Sequence, residues 1–374
     1  MKKRLQLGFI GGGANSAIGL THKIASQLDG DFTLVAGCFS RNPEQNRHTG
    51  ESWNIHPERI YDSIQAFILQ ERHHLDAVAV LTPTPDHHEI ITACFENGLA
   101  VICEKAMVES HQSALHIMNS EHQHQAKLFV TYNYSGYPMV RELQKRVQRG
   151  DFGAIQQVMV EMPQEGFARH NQHGDVPKPQ RWRQQDAVIP TVSLDLGVHV
   201  HQLIEFITGD HAVDIYAIND TYAKIPGVID TVHILSRYQS GMTCNYWYGK
   251  AALGYRNGLR IRVMGSQGSA EWLQMDPEFL YVSGLQGSRS VIDRTANDNI
   301  VAADARYCRF KAGHPAGFIE AFANYYADIA SALRGEPNDY VMGSDVAARG
   351  LHFLESAAKS ATSQQKCTLC TIKR

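Results

Sequence analysis

Residues 5–19 constrain the fold of this 374-residue chain more than any other stretch. An apolar run that begins at Leu5 ends in three glycines at positions 11–13, and an apolar helical pattern follows from Ile18. This order predicts a strand, a tight turn and a helix, in which glycines let backbone N–H groups approach a diphosphate at the positive end of the helix. A simple turn is the alternative, because Ser16 stands where the G-x-G-x-x-G pattern has its third small residue.

Length and charge narrow the class of protein. A chain of 374 residues is long enough for about two domains with a sizeable core. A formal net charge of −3 and a pI near 6.7 give no electrostatic case for nucleic acid or an anionic membrane as the main partner. The apolar run after the basic N-terminus is too short for a signal peptide, and no run approaches the roughly 18 apolar residues of a membrane span. We therefore expect a cytoplasmic protein.

Cysteine usage points to reduced thiols. Several of the seven cysteines, such as Cys38, Cys103 and Cys244, stand in apolar strand-like runs. This placement favours buried thiols over a disulfide framework. The one C-x-x-C pattern, Cys367 to Cys370, has no second pair, whereas a structural zinc site needs four ligands. We therefore expect no metal.

Strand and helix patterns alternate over residues 1–135. Besides the first run, strand candidates lie at 32–39, 59–61, 75–81, 99–103 and 127–132, and helical patterns lie between most of them. Alternation of this kind predicts an α/β fold with a doubly wound parallel sheet, whose ligands lie at the carboxyl ends of the strands. We therefore assign residues 1–135 to a dinucleotide-binding Rossmann domain.

Polar residues stand at several of these strand ends. Ser40 and Arg41 follow the second strand with no acidic residue beside them. An arginine there suits the 2′-phosphate of NADP, although a solvated loop arginine is the alternative. The fifth strand candidate of the sequence, 99–103, ends at Glu104 and Lys105, so Lys105 is expected at the ligand edge. A surface salt-bridge residue is the alternative.

Residues 136–374 follow a different pattern. Helical patterns at 140–149, 315–333 and 344–361 flank strand candidates at 155–161, 214–218, 231–238, 242–248, 259–264, 270–273 and 280–282. Short polar connections at 239–241 and 265–268 are typical of hairpins. We expect an α+β domain with a large, mostly antiparallel sheet. If its second face is apolar, a partner subunit must cover it, which favours a homodimer or homotetramer.

A predicted helix over residues 193–207 carries titratable side chains. Asp195 and His199 are four residues apart and are expected to stack within reach of one another, whereas His201 and Glu205 are expected to face solvent. A histidine beside a carboxylate can serve as an acid/base near neutral pH. A structural hydrogen bond is the alternative for this pair.

The order and spacing of these motifs resemble one family. The glycine turn, Thr82-Pro83 with His87 five positions after Thr82, Glu104-Lys105, and Asp195-x-Gly197-x-His199 are similar to the Gfo/Idh/MocA family of nicotinamide-dependent oxidoreductases. The resemblance covers essentially the whole chain, including residues 313–322 and 350–357.

The resemblance implies roles for individual residues. Lys105 would contact the substrate hydroxyl and the nicotinamide ribose, His199 would be the catalytic acid/base, and Asp195 would bind a neighbouring substrate hydroxyl. The resemblance implies cofactor contacts for Gly11, Gly13, Ser16, Thr82, Pro83, His87 and Lys105, and we add Ser40, Arg41 and Glu104 as cofactor-binding candidates from their positions at strand ends. One departure is Ala106, which replaces the proline of the family's Glu-Lys-Pro motif. The family peptide is commonly cis, and a non-proline cis bond costs about 2.5–4 kcal/mol, so the presentation of Lys105 is in question.

Substrate contacts are expected from polar residues of both domains. The candidates are Asn133, Tyr134, Arg169, Trp182, Arg183, Asp195 and His314. Such a set offers the hydrogen bonds and the aromatic face that a sugar or polyol needs. The arginines between 169 and 183 could instead bind an anion such as a carboxylate, phosphate or sulfonate, or form a solvated basic loop.

The sequence thus predicts an enzyme that uses NAD or NADP to oxidise a secondary hydroxyl of a sugar, inositol or sugar derivative. One alternative uses the same site for transient oxidation, elimination and re-reduction, as a redox-neutral NAD-dependent glycoside hydrolase. A second alternative is a non-catalytic cofactor sensor on the same fold.

Overall fold

The computed structural model describes residues 3–176, 179–223 and 225–369. The chain divides into two units, Met1–Gly136 with Phe318–Ala348, and Tyr137–Gly317 with Arg349–Arg374. The sequence pattern assigns residues 136–374 to one domain, whereas in the structure Phe318–Ala348 packs in the first unit.

The helices and strands follow in chain order. Those before residue 137 are β1 (Leu5–Gly11), α1 (Ala17–Leu28), β2 (Phe32–Cys38), α2 (Pro43–Ser52), α3 (Ile64–Glu71), β3 (Ala77–Leu81), α4 (His87–Glu96), β4 (Val101–Cys103), α5 (His111–His124) and β5 (Leu128–Val130). Those after it are α6 (Pro138–Arg149), β6 (Ile155–Pro163), a π-helical turn (Ser193–Gly197), α7 (Val198–Thr208), β7 (Ala212–Asp220), β8 (Thr231–Tyr238), β9 (Thr243–Gly249), β10 (Arg260–Gly265), β11 (Gly268–Leu273), β12 (Phe279–Gly284), β13 (Arg289–Asp293), α8 (Phe318–Leu333), α9 (Ser344–Ser363) and β14 (Cys367–Thr368).

The first unit contains a parallel sheet with the strand order β2-β1-β3-β4-β5. Its central strand, β3, is apolar and all five of its residues are buried, because helices cover both faces of a parallel sheet. The predicted strand at 59–61 was wrong. It forms a single bridge between Gly37 and Ile60, because a 3₁₀ turn over Pro57–Arg59 leaves only Ile60 in position to pair.

Helix α8 belongs to the first unit because its aromatic residues pack on α1 and β2. The ring of Tyr326 lies 5.6 Å from that of His22 and 5.5 Å from that of Phe32. The Tyr325 hydroxyl donates to the carbonyl of Val130 at 2.7 Å, at the end of β5. These buried contacts explain why a segment from late in the sequence completes the parallel-sheet unit.

The second unit contains a nine-stranded sheet with the order β13-β12-β11-β10-β6-β9-β8-β7-β14. Only the β6–β9 pair is parallel among these strands, which confirms a mostly antiparallel sheet. In β8, Val232 and Ile234 are buried whereas His233 and Leu235 are exposed. One face of this sheet is therefore covered within the unit and the other is open.

Helix α7 is buried on all sides, and the prediction that His201 and Glu205 face solvent was wrong. His201 is 2% exposed and Glu205 is 9% exposed. The reason is that α9 covers this side of α7: the Phe353 ring lies 4.5 Å from that of His201, and Arg349 Nε lies 3.1 Å from Glu205 Oε2. A helix from the end of the chain thus encloses residues that look solvent-facing from local periodicity.

Glu205 is the anionic centre of a buried charge cluster. Its Oε1 lies 2.9 Å from Nδ1 of His211 and 3.6 Å from Nε2 of His201. Burial alone would raise the pKa of this carboxyl, but the neighbouring charges of His201, Arg349 and His211, with the hydrogen bond from His211, lower it to about 2. The same hydrogen bond raises the pKa of His211, and burial lowers that of His201.

This depressed pKa predicts a pH-dependent contribution to stability. A pKa of about 2 against an ordinary 4.5 corresponds to about 3 kcal/mol, present above the ordinary pKa and lost as the pH falls through the folded one. Glu205→Gln should therefore lower the free energy of unfolding, and the gap to wild type should shrink from about pH 7 to about pH 3. Urea unfolding measured across this range tests the expectation.

Glu58→Gln is the matched control, because the Glu58 side chain is 87% exposed. It should match wild type at every pH. A gap for Glu205→Gln that stays constant over the whole range would contradict the assignment of the cluster as an ionised carboxylate network.

Candidate functional site

The glycine turn between β1 and α1 depends on the absence of side chains. Gly11 and Gly12 have φ values of +80° and +70°, a region that favours glycine. A Cβ at Gly19 would lie 1.8 Å from the carbonyl oxygen of Gly12, so the helix lies directly on the turn. Ser16 is the N-cap of α1, where its hydroxyl accepts from the N–H of Gly19, and the carbonyl of Gly13 accepts from the N–H of Ser16 at 2.7 Å. The turn is therefore built for close approach of a ligand to the N-terminus of α1.

The residues after β2 lie at the next position on the same sheet edge. The Ser40 hydroxyl accepts from the N–H of Asn42 at 3.1 Å, which shapes the loop into α2. The Arg41 side chain is 83% exposed, and its Nη2 lies 2.8 Å from Asp86 Oδ2. Asp86 stands at the N-terminus of α4 and makes no side-chain cap bond there. Arg41 is thus present at the strand end but already has an acidic neighbour.

The loop after β3 is tied to the segment after β4 by His87. Its Nε2 lies 2.8 Å from the carbonyl oxygen of Thr82, and its Nδ1 lies 3.1 Å from that of Ala106. Burial of the imidazole lowers its pKa. Pro83 is exposed beside Thr82, whose Oγ1 is buried without a hydrogen-bond partner among the residues described. The visible role of His87 is to join two loops, and its contact with a cofactor stays a prediction.

Glu104 and Lys105 follow β4, and the Lys105–Ala106 peptide bond is cis although Ala106 replaces proline. Glu104 is 7% exposed, and its Oε1 contacts the hydroxyl of Thr131 and lies 3.0 Å from Nε2 of His22. His22 in turn lies 2.6 Å from the hydroxyl of Tyr326. No local sequence pattern marks His22, whose partners are 82 and 304 residues away.

Glu104 is held as a buried carboxylate. Burial alone would raise its pKa, but the hydrogen bond and charge of His22, the charge of Lys105 and the hydrogen bond from Thr131 lower it. Lys105 is half-buried next to this carboxylate. The end of β4 therefore presents a cationic side chain supported by a fixed negative charge.

Asn133 and Tyr134 lie in a 3₁₀ turn, Asn133–Gly136, just after β5. Both are buried, at 2% and 5% exposed, and the ring of Tyr134 lies 6.5 Å from that of Phe318. The Asn133 Nδ2 is buried without a hydrogen-bond partner among the described residues. A buried amide donor left unused costs free energy, and a polar ligand at this edge would supply its acceptor.

These strand ends fit a dinucleotide. The glycine turn, the exposed Arg41, the half-buried Lys105 and the two unused polar atoms of Thr82 and Asn133 all follow parallel strands of one sheet, where such sheets bind ligands. The donors suit the phosphates, riboses and amide of a nicotinamide dinucleotide. Within the described ranges, no group of three His, Cys, Asp or Glu could hold a metal ion.

In the second unit, Asp195 lies in the π-helical turn that leads into α7. Gly197 allows close packing here, since a Cβ would lie 2.8 Å from Leu354 Cδ2 and 3.0 Å from the Tyr248 hydroxyl. His199 stands in the first turn of α7 and is 4% exposed. Single π-helical turns inside helices occur frequently at functional sites. The direct interaction predicted between Asp195 and His199 stays a prediction.

Asp195 is paired with two cations. Lys250 Nζ contacts its Oδ2, and Arg183 Nη2 lies 3.4 Å from its Oδ1. Arg183 is among the site residues predicted from the sequence, whereas Lys250 is not. No local pattern marks Lys250, because its partner is 55 residues away; only its position directly after β9 distinguishes it.

The remaining predicted substrate residues lie in loops. The Arg183 guanidinium lies 4.7 Å from the Trp182 ring, and Arg169 pairs with Glu165 at 3.2 Å. His314 is exposed, and its carbonyl accepts from Arg294 Nη2 at 3.4 Å. Arg183 therefore contacts both the Trp182 ring and Asp195. The contacts described here for Arg169 and His314 are with Glu165 and Arg294.

Of the C-x-x-C pair, Cys367 begins the short strand β14 and Cys370 lies outside the described residues. Among the helices of the described ranges, none is long and apolar enough to cross a membrane.

Each of the two units contains a segment that matches a known protein family. Residues 5–132 match the family described as "Oxidoreductase family, NAD-binding Rossmann fold", and residues 140–271 match the "GFO/IDH/MocA C-terminal domain". The chain is 27% identical to the uncharacterised oxidoreductase YfiI of Bacillus subtilis, covering 96% of this chain and 95% of that protein.

Solved structures of similar proteins cover nearly the whole chain. An oxidoreductase from Sinorhizobium meliloti is 30% identical with a TM-score of 0.85, covering 97% of this chain and 99% of that one. An inositol dehydrogenase homologue from Azotobacter vinelandii, complexed with NADH and myo-inositol, is 26% identical with a TM-score of 0.88, covering 97% of each chain. With both units matched, the chain belongs to the Gfo/Idh/MocA family of NAD(P)-binding oxidoreductases.

Proposed function

We propose that the chain transfers a hydride between the nicotinamide of NAD(P) and a secondary hydroxyl of a sugar, inositol or sugar derivative. The observation that carries this proposal is the pair of prepared polar centres: Lys105 beside a buried carboxylate at the end of β4, and His199 at the start of α7 with Asp195 one turn before it. The myo-inositol and NADH bound by the Azotobacter relative support the substrate class.

Each residue has a distinct proposed role. In the oxidation direction His199 removes the hydroxyl proton, because a neutral imidazole accepts protons near neutral pH. The ammonium of Lys105 stabilises the negative charge that develops on the oxygen, and Asp195 orients the substrate. When bound, the dinucleotide supplies the hydride acceptor at C4 of its nicotinamide. Asn133, Tyr134, Arg169, Trp182, Arg183 and His314 are the proposed substrate contacts.

Replacing either His199 or Lys105 should greatly reduce turnover. His199→Ala should reduce kcat by about 10²–10⁴-fold, the usual contribution of a positioned proton-transfer group. Lys105→Ala should reduce kcat by about 10²–10³-fold, the usual cost of removing one donor that stabilises a developing oxyanion. The Kd for the dinucleotide should change little, because neither substitution alters the glycine turn. NADH or NADPH formation over a panel of sugars and polyols measures kcat, and a fluorescence titration measures Kd.

Lys359→Ala and His56→Ala are suitable controls, since these side chains are 67% and 66% exposed. Undiminished kcat in both Lys105→Ala and His199→Ala would contradict the proposal. Release of an aglycone from glycosides without net NADH formation would instead support the redox-neutral glycoside hydrolase.

For the choice of dinucleotide, we propose a preference for NADP. The loop after β2 has Ser40 and Arg41 and no acidic residue to accept from a ribose 2′-hydroxyl. The ion pair of Arg41 with Asp86 is solvent-exposed, and such pairs contribute only about 0–1 kcal/mol. Arg41 could therefore exchange Asp86 for a 2′-phosphate at small cost.

Two substitutions test this preference in opposite directions. Arg41→Ala should weaken NADP binding by about tenfold, the equivalent of one charge-assisted contact, and leave NAD binding almost unchanged. Asp86→Asn should tighten NADP binding by removing the competing carboxylate. Titration calorimetry with both dinucleotides gives the ratio of Kd values. An unchanged ratio in Arg41→Ala, or tighter NAD binding by wild type, would overturn the preference.

The open face of the nine-stranded sheet supports a further proposal, a homodimer or homotetramer. Tyr216 and Leu235 pair directly across β7 and β8 on this face, and they are 43% and 49% exposed. Ile218, 49% exposed, pairs with His233, whose ring stacks on Trp247 of β9. A contiguous apolar surface on neighbouring strands is typical of a protein interface.

Substitutions that introduce charged side chains on this face should dissociate the proposed homo-oligomer. Ile218→Glu combined with Leu235→Glu should reduce the molar mass measured by light scattering to that of a single chain, because like charges would be buried across the interface. Leu69→Glu, at a residue of α3 that is 46% exposed, is the control and should leave the mass unchanged. A wild-type protein that is monomeric at working concentration would contradict the proposal.

A further inference from the structure

The register of the π-helical turn Ser193–Gly197 determines how Asp195 is oriented relative to His199. A π-turn closes its hydrogen bonds over one residue more than an α-turn does. Relaxation to α geometry would therefore rotate the start of the turn relative to α7 by as much as about 100°, the step of one residue in an α-helix. Because π-helical geometry is rare and occurs mostly as single turns, we expect contacts from outside the helix to hold this one in place.

Tyr248 of β9 contacts this turn at both ends. Its hydroxyl lies 2.9 Å from the hydroxyl of Ser193, the first residue of the turn. A Cβ at Gly197, the last residue of the turn, would lie 3.0 Å from the Tyr248 hydroxyl oxygen, so the glycine lets the tip of the Tyr248 ring lie directly against the helix backbone. Tyr248 and Ser193 are both buried. One side chain therefore contacts the first and the last residue of the turn.

The position of Tyr248 is itself determined by the sheet. Strand β9 lies between β6 and β8, and Tyr248 is in register with Met162 on one side and with Val232 on the other. Two residues further along the chain, the ammonium of Lys250 contacts the carboxylate of Asp195. The end of an internal strand therefore holds the turn at its first, middle and last residues, by a hydrogen bond, an ion pair and a packing contact.

The hydroxyl of Tyr248 is not suited to proton transfer. Burial raises the pKa of its phenol, so the hydroxyl stays protonated at neutral pH. An efficient general acid or base has a pKa near the pH at which the enzyme works. What this hydroxyl provides is a hydrogen bond, so its effect on a reaction comes through the residues of the turn.

A second pair of hydroxyls in the same sheet serves as a comparison. The hydroxyl of Tyr246, two residues before Tyr248 in β9, contacts the hydroxyl of Tyr238 in β8. Tyr238 and Tyr246 are also buried. This pair joins two neighbouring strands, whereas the pair of Tyr248 and Ser193 joins a strand to the π-helical turn. The two pairs therefore separate the cost of losing a buried hydrogen bond from the effect of releasing the turn.

We propose that Tyr248 is a positioning residue for the reaction: its hydroxyl, through Ser193, holds the π-helical turn in register so that Asp195 and His199 act together on one substrate. The inference rests on the proposed function and gives a role in it to two residues that act through the turn. Misplacement of a catalytic group by about 1 Å can lower a rate by about 10²-fold, so the loss of one supporting hydroxyl should be measurable.

Tyr248→Phe removes the hydroxyl and keeps the ring. For the panel member that wild type oxidises best, kcat/KM should fall by about 10- to 100-fold, with a higher KM as well as a lower kcat, because Asp195 orients the substrate and His199 transfers the proton. Tyr246→Phe is the matched control and should keep both constants of wild type. Equal losses in the two variants, or a lower kcat at unchanged KM in proportion to the folded fraction, would mean a purely structural hydrogen bond.

Ser193→Ala removes the other hydroxyl of the pair. Because the two hydroxyls are proposed to act as a unit, Ser193→Ala should lower kcat/KM by a factor similar to that of Tyr248→Phe. The double variant should then be no worse than either single variant. Losses that multiply in the double variant would show that the two hydroxyls act independently, and would overturn the inference.

Hydrogen exchange separates this inference from the proposed function, since it needs no turnover. Backbone amides in peptides that span residues 193–199 should exchange faster in Tyr248→Phe than in wild type or Tyr246→Phe, because the turn has lost its bond to the sheet. Faster exchange without turnover of any panel member by wild type would support the anchoring of the turn and count against the proposed function. Turnover by wild type, with exchange and kcat/KM unchanged in Tyr248→Phe, would support the function and overturn the inference.

Discussion

The buried carboxylate of Glu104 is the interaction on which the first unit depends. A negative charge that is 7% exposed is tolerated only because His22 and Thr131 replace the water it has lost. These partners come from α1 and from the end of β5, and His22 is itself held by Tyr326 of α8. Four segments distant in sequence therefore converge on one charge. Because Lys105 follows Glu104 directly, the same convergence fixes the side chain proposed to act on the substrate.

The second unit has ionic contacts at both ends of one helical segment. At its buried end, Glu205 is compensated by histidines and by Arg349, and this cluster stabilises the packing of α9 on α7. At its beginning, Asp195 is paired with Lys250 and Arg183. The segment therefore carries two separate ionic clusters. A helix buried on all sides can carry both ionic clusters because each of its charged residues has partners on another helix, strand or loop.

Much of the fold could be predicted from the sequence, because buried parallel strands and amphipathic helices have local signatures. The strand predicted at 59–61 failed because pairing stopped after Ile60, which no local pattern reveals. The burial of His201 and the role of Lys250 were missed for another reason. Periodicity shows which residues are apolar, but it does not show that α9 covers a polar helix face or that Lys250 meets a carboxylate 55 residues away. Site residues could be predicted where they form a motif within a few positions of the sequence. They could not be predicted where segments distant in sequence complete the site.

The return of Phe318–Ala348 to the first unit has a consequence for the order of events during synthesis. Residues of this late segment complete contacts made by the start of the chain. The Tyr326 hydroxyl contacts His22, and the carbonyl of Met342 accepts from the N–H of Val130 at 2.8 Å. Arg334 pairs with Asp31 at 2.7 Å. Domains generally fold as units while the chain emerges from the ribosome. Here the parallel sheet is encoded at the start of the chain, but some of the buried polar contacts of its unit cannot form until about nine-tenths of the protein has been translated. The second sheet, although encoded later, has its strands from β6 to β13 complete before the first unit can close.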